Sequence, residues 1–237
     1  MVAASPRMRQ SVGMPNTRLN EEEQGLLRKI LRALAYRQMM ATNLRGHGFK
    51  FLVDPEGRLG LVDDMRHILK QVTRVQELYT SFGGGNIRKE AHVKMERIPY
   101  PGTRFELAAF LVVSDPAERL AMQSYVDSKC TELADIARED LATTRVATNR
   151  GRALFDEFAA DPEQKPLVRQ VLHRWVTIVL LSLGRPGSAG DRRAVELGLR
   201  TRGVGEIVED YLRELGPTME SCGLGRDELA EAGVVLP

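Results

Sequence analysis

Cysteine and histidine are both scarce in this chain of 237 residues, which holds two of the first, Cys130 and Cys222, and four of the second. Two cysteines cannot build a disulfide framework or a thiolate metal centre, and a reduced cytoplasm is the compartment they fit. Aromatic residues are only 5% of the chain, while Leu, Ala, Arg and Glu are plentiful, a balance that favours helices over sheets. Charge of one sign is also lacking. The 34 Lys and Arg nearly cancel the 32 Asp and Glu, leaving +2, so no global field of the kind a nucleic-acid binder carries is expected. No long hydrophobic run is present. Val176 to Leu183 falls far short of the roughly 20 residues that cross a bilayer. The first eighteen residues contain arginines but no apolar stretch of the kind an export signal needs.

What is present is helical spacing. Residues 1–19 read as a flexible N-terminal arm, residues 20–216 as one helical bundle and residues 217–237 as a C-terminal tail. Asn20 followed by Glu21-Glu22-Glu23 predicts a capping box. Leu27, Ile30, Leu31, Leu34, Ala41 and Leu44 then recur at threes and fours, with Gln38 close to the stripe, up to Gly46-His47-Gly48. A second helix is expected over about 61–82, ended by Gly83-Gly84-Gly85, which reads as a helix cap and not as a phosphate loop. Pro99, Pro101 and Gly102 predict a connecting loop over 87–102 with a turn near 90–96. Phe105 to Val113 is strongly apolar. Ser114-Asp115-Pro116 either starts helix three or kinks a longer helix. A fourth helix over about 129–158 follows. A fifth, from Pro166, is apolar almost all round and belongs in the middle of a bundle. Asp191 can cap a sixth reaching about Leu215. The expected fold is all-α, a bundle of about six helices.

Bundles build metal sites from side chains on facing helices, and Glu-x-x-His pairs put two ligands on one helix face. The chain contains no such pair.

Thr131 to Gly151 (TELADIAREDLATTRVATNRG) resembles the metal-bearing fourth helix of the phenylacetic acid catabolic family, the ferritin-like phenylacetyl-CoA epoxidase subunits. Arg174-Trp175 with Leu181-Ser182-Leu183-Gly184 is similar to that family's tryptophan-bearing helix, and Asp63 to Tyr79 to its E-x-x-R-H helix. The resemblance spans 20–216 and implies a ferritin-like bundle. Carried over, the fourth-helix ligands fall on Thr144 and Ala147 and those of helix two on Val72 and Val75, or on Gln71 and Arg74 with a one-residue slip. The first-helix ligand falls near Gln38. Thr, Ala and Val cannot hold iron and Gln is a weak neutral ligand. The resemblance therefore implies a non-catalytic relative with a degenerate di-iron site and no cofactor. Such a chain serves as a structural or partner-binding subunit, in a homo-oligomer or beside a related ferritin-like subunit. The alternative is a metal-dependent oxygenase that holds iron through Asp64, His67, Asp115 and Glu118, with His173.

Arg185, Arg192, Arg193, Arg200 and Arg202 concentrate positive charge, and the resemblance implies that an acyl-CoA-like ligand could meet them. The other reading is a solvated or partner-facing helix surface, in which Asp191 and Glu196 are interleaved with the arginines. His173 reads as a pocket acid or base or as a satisfied core residue, and Cys130 as a buried inert thiol. His47 and His92 are expected at the surface.

Overall fold

A computed structural model describes residues 17–90, 98–143 and 146–236, with only the backbone described for 146–150. Among these residues there is no strand, and the architecture is an all-α helical bundle. His92 lies outside the described residues.

The first two helices form a pair. α1 (Glu21–Gly48) opens on the expected capping box, in which the Asn20 side chain accepts from the Glu23 N–H at 2.9 Å and the Glu23 carboxylate accepts from the Asn20 N–H at 2.8 Å. The same carboxylate accepts from the Lys129 ammonium. Residues 17–19, read as part of a flexible arm, are docked: the Thr17 hydroxyl donates to Glu132 at 2.7 Å and Leu19 is buried. α2 (Pro55–Ser81) starts earlier than its apolar spacing suggests, because Asp54 caps it through the Gly57 N–H at 2.6 Å and Pro55 fits the first turn. It stops at Gly83, whose φ of 77° suits only glycine without strain.

α3 (Arg104–Gln123) is one helix that carries Pro116 within it, so Thr103 and not Ser114 is its cap. Phe105 to Val113 are buried save for the partly exposed Glu106, and α3 packs against α1, α4, α5, α6 and α8. It holds the central place that the sequence suggested for the tryptophan helix. The expected fourth helix is two: α4 (Thr131–Leu141) and α5 (Val146–Ala159). The break has a tertiary cause. His67 on α2 accepts or donates at Asp140 (3.0 Å) and Thr143 (3.3 Å), which fixes the end of α4. Thr143 also bonds back to the Glu139 carbonyl, a contact that competes with helix continuation.

α6 (Lys165–Leu183) buries Trp175, Val176 and Leu172 but exposes Leu167 and Leu181, so it lies at the side of the core. The expected sixth helix is also divided, into α7 (Ala189–Glu196), capped by Ser188, and α8 (Val204–Ser221). Asp191 is no cap. It is buried, and it accepts from the Val204 N–H and from Arg200, fastening the two pieces. Residues 217–237, read as a tail, contain the end of α8 and α9 (Arg226–Glu231), and Leu229 and Val234 are buried.

Two apolar clusters make the core. One surrounds α3, with Phe110, Trp175, Tyr211 and Phe155; the other joins Leu27, Leu31 and Leu34 of α1 to Val75 and Tyr79 of α2 and Leu133 and Ile136 of α4. Each fully buried side chain of this size contributes roughly 1.5–3 kcal/mol.

Three measurements check this packing. A Cβ at Gly151 would sit 3.0 Å from Leu111 Cβ, whereas one at Gly25 on α1 meets nothing within 4 Å. Gly151→Val is expected to lower stability by about 1–3 kcal/mol and Gly25→Ala to raise it by up to about 1 kcal/mol, both read by urea unfolding. The Lys129 ammonium and the Asn20 N–H hold the Glu23 carboxyl below the usual carboxylate range. A depressed folded value gives stability that is present above the unfolded value, near 4.5, and is lost as pH falls through the folded one. Glu23→Gln should therefore flatten the fall in melting temperature below that pH.

Candidate functional site

Where one apolar cluster gives way to the other, four helices turn polar side chains inward. Arg37, Gln38 and Arg45 come from α1, Asp64, His67 and Gln71 from α2, Ser114 and Glu118 from α3 and Asp140 from α4. The helical period explains the grouping, since 38, 41 and 45 share one face of α1 and 64, 67, 68 and 71 one face of α2. Arg37, Gln38, Arg45, Ser114, Glu118 and Asp140 line a small cavity of about 30 Å³. A space of this size holds about one or two water molecules.

The charges in this group are matched inside the chain. Arg37 donates through Nε to Glu118 at 3.2 Å, with only 6% and 14% of the two side chains exposed. Burial works against the charge on Arg37, but the neighbouring Glu118 carboxylate and Tyr125 hydroxyl outweigh it and keep the guanidinium more firmly protonated than usual. Asp140, which is buried, meets the ring of His67 at 3.0 Å. Arg45 is 1% exposed, donates to the Ala41 carbonyl and lies over the Phe110 ring at 5.6 Å. Gln71 is fully buried, and neither atom of its amide has a partner among the described residues. The same holds for Gln38 Oε1 and Ser114 Oγ. Unmade hydrogen bonds of this kind cost about 1–3 kcal/mol each.

A di-iron centre does not fit these residues. Two guanidinium cations stand in the cluster, glutamines face inward from α1 and α2, and no group of three or more His, Cys, Asp or Glu among the described residues is arranged to hold a metal ion. Of the alternative ligand set, Asp64 and His67 share a helix face, His67 bonds to Asp140 and Glu118 faces Arg37, while Asp115 is half-buried on α3. Val72 and Val75 are buried, and Arg74 pairs with Glu139 at the surface. Thr144 lies outside the described residues, as does the side chain of Ala147.

The remaining candidates lie elsewhere. His173 is half-buried, with Nε2 3.2 Å from the Glu228 carbonyl, and ties α6 to α9. The arginine-rich stretch does not form one anion site. Arg193 pairs with Glu22 and Glu196, Arg200 with Asp191 and Arg202 with Asp210, and Arg192 donates to the Gly187 carbonyl; Arg185 is exposed. His47, expected at the surface, is half-buried and stacked on Tyr100 at 4.6 Å. Cys130 is fully buried, and burial pushes its thiol up to about 12, so no nucleophilic thiolate forms there near neutral pH.

Sequence reasoning passed over Arg37, Arg45, Ser114 and Asp140. The signal was present for Arg45, which stands four residues past Ala41 and so continues the apolar stripe of α1. A charge in register with a buried stripe needs a buried partner. In comparison with known proteins, the chain matches no family model and no curated protein.

Removing one member of a buried ion pair strands the other, at a cost of about 3–5 kcal/mol. Glu118→Ala is thus expected to lose stability on that scale in chemical unfolding. The double variant Arg37→Met with Glu118→Leu, which removes both charges and keeps the volume, should lose distinctly less.

Proposed function

We propose that the chain is a non-catalytic ferritin-like protein related to phenylacetate catabolism, acting as a structural subunit that binds a partner through the outside of its bundle. The observation that carries this reading is the buried Arg37–Glu118 pair, with Arg45 beside it, in the polar interior shared by α1, α2, α3 and α4. An enzyme of this architecture needs carboxylates and imidazoles converging on a metal from facing helices. Here the Arg37 guanidinium neutralises the Glu118 carboxylate and the His67 ring meets Asp140, which favours an interior stable as protein alone. An interior closed in this way leaves the outer surface for function. The arginines of α7 and of the turn after it are drawn into intrachain pairs, so the partner half of the reading is preferred over an acyl-CoA-like ligand at that stretch.

The test is the metal content of protein purified from cells grown with added iron and manganese, together with its mass in solution and the proteins it retains in pull-down. The expected result is no stoichiometric metal, with either a homo-oligomer or a retained metal-bearing ferritin-like subunit. One or two metal ions per chain, or a monomer that retains no partner, would overturn the proposal.

A further inference from the structure

A second cavity, about 320 Å³ in volume, lies between the N-terminal ends of α2 and α3 and the face of α5. It shares no residue with the polar cluster. Leu61, Leu107, Leu111 and Leu154 are among its walls, and the exposed residues Arg104 and Glu157 stand at its opening. Asp54 also reaches it, but that carboxylate is engaged in capping α2. Binding pockets for small molecules start at roughly 300 Å³ and combine apolar walls with a few polar groups that fix orientation, and this cavity has that make-up.

The opening indicates the chemistry of the occupant. Arg104 and Glu157 carry opposite charges, and neither has an ion-pair partner among the described residues. A ligand with an anionic head would be drawn to Arg104 and repelled by Glu157, and a cationic head the reverse. A neutral head with both a hydrogen-bond donor and an acceptor satisfies the two together, the guanidinium donating to its oxygen and the carboxylate accepting from its N–H. We propose that the cavity framed by Leu61, Leu107, Leu111 and Leu154 binds the alkyl or aryl body of a small amphiphile with a neutral amide-like head held between Arg104 and Glu157.

The test is isothermal titration of the full chain with hexanamide, octanamide, octanoate and octylamine. Octanamide is expected to bind saturably at one site per chain. Burial of each methylene is worth about fourfold in affinity, so hexanamide should bind on the order of tenfold more weakly. Both charged compounds of equal tail length should be weaker than octanamide. Ala153→Trp places a large side chain at a cavity-lining position that is exposed; with its melting temperature unchanged, it should abolish binding. Arg104→Ala with Glu157→Ala should keep the tail-length dependence and erase the preference for the amide, which holds the proposal to account even if the tryptophan variant does not fold. Absence of saturable octanamide binding, an unaltered affinity in folded Ala153→Trp, or tighter binding of octanoate or octylamine would overturn it. None of these outcomes bears on the metal content that tests the subunit reading.

Discussion

The run from Phe105 to Val113 constrains everything else in this molecule. A helix with apolar residues on nearly every side gains stability only when it is surrounded, and α3 is surrounded by α1, α4, α5, α6 and α8. Beyond Val113 the same helix changes character. Ser114, Asp115 and Glu118 follow, and the helices already gathered around α3 must answer those polar groups from within. Arg37 does so for Glu118. The ion pair is therefore a consequence of the central helix continuing past its apolar half.

A buried pair of this kind adds little net stability compared with well-packed apolar residues, because removing two charges from water offsets most of their attraction. Its effect is on arrangement. Arg37 and Glu118 fix α1 against α3, and His67 and Asp140 fix α2 against α4, so both contacts help set where the helices stand. The second contact also ends α4. The same polar group thus shapes the bundle. The leucine-lined cavity beneath the start of α2 is separate from this frame.

Much of the helical content was legible from the sequence where a signal is local. The capping box at Asn20 and the stop at Gly83 each depend on a few neighbouring residues. Boundaries decided by distant partners were not legible. The sequence predicts one helix over about 129–158, yet the helix divides where His67, far away in the chain, binds Asp140 and Thr143. Likewise Asp191 reads as a cap, and the structure uses it to hold Arg200 and Val204. Within the candidate site, Gln38 was legible as a residue close to the apolar stripe of α1 and Asp64, His67 and Glu118 as groups able to ligate, whereas nothing near Arg37 or Asp140 in the chain marks them as buried, because their partners lie on other helices.

The sequence by itself determined that this chain is predominantly helical, that α1 opens on the Asn20 cap and α2 stops at Gly83, and that no Glu-x-x-His pair is available to grip a metal. Those properties rest on propensity, capping and spacing, which act within a few residues. Only the tertiary structure decided that α3 and not the tryptophan helix is central, that Arg37 and Arg45 are buried cations, and that the arginines between 185 and 202 are for the most part drawn into pairs within the chain. The physical reason is the reach of the interactions. A charge finds its partner through space, and a sequence read along the chain does not contain that distance.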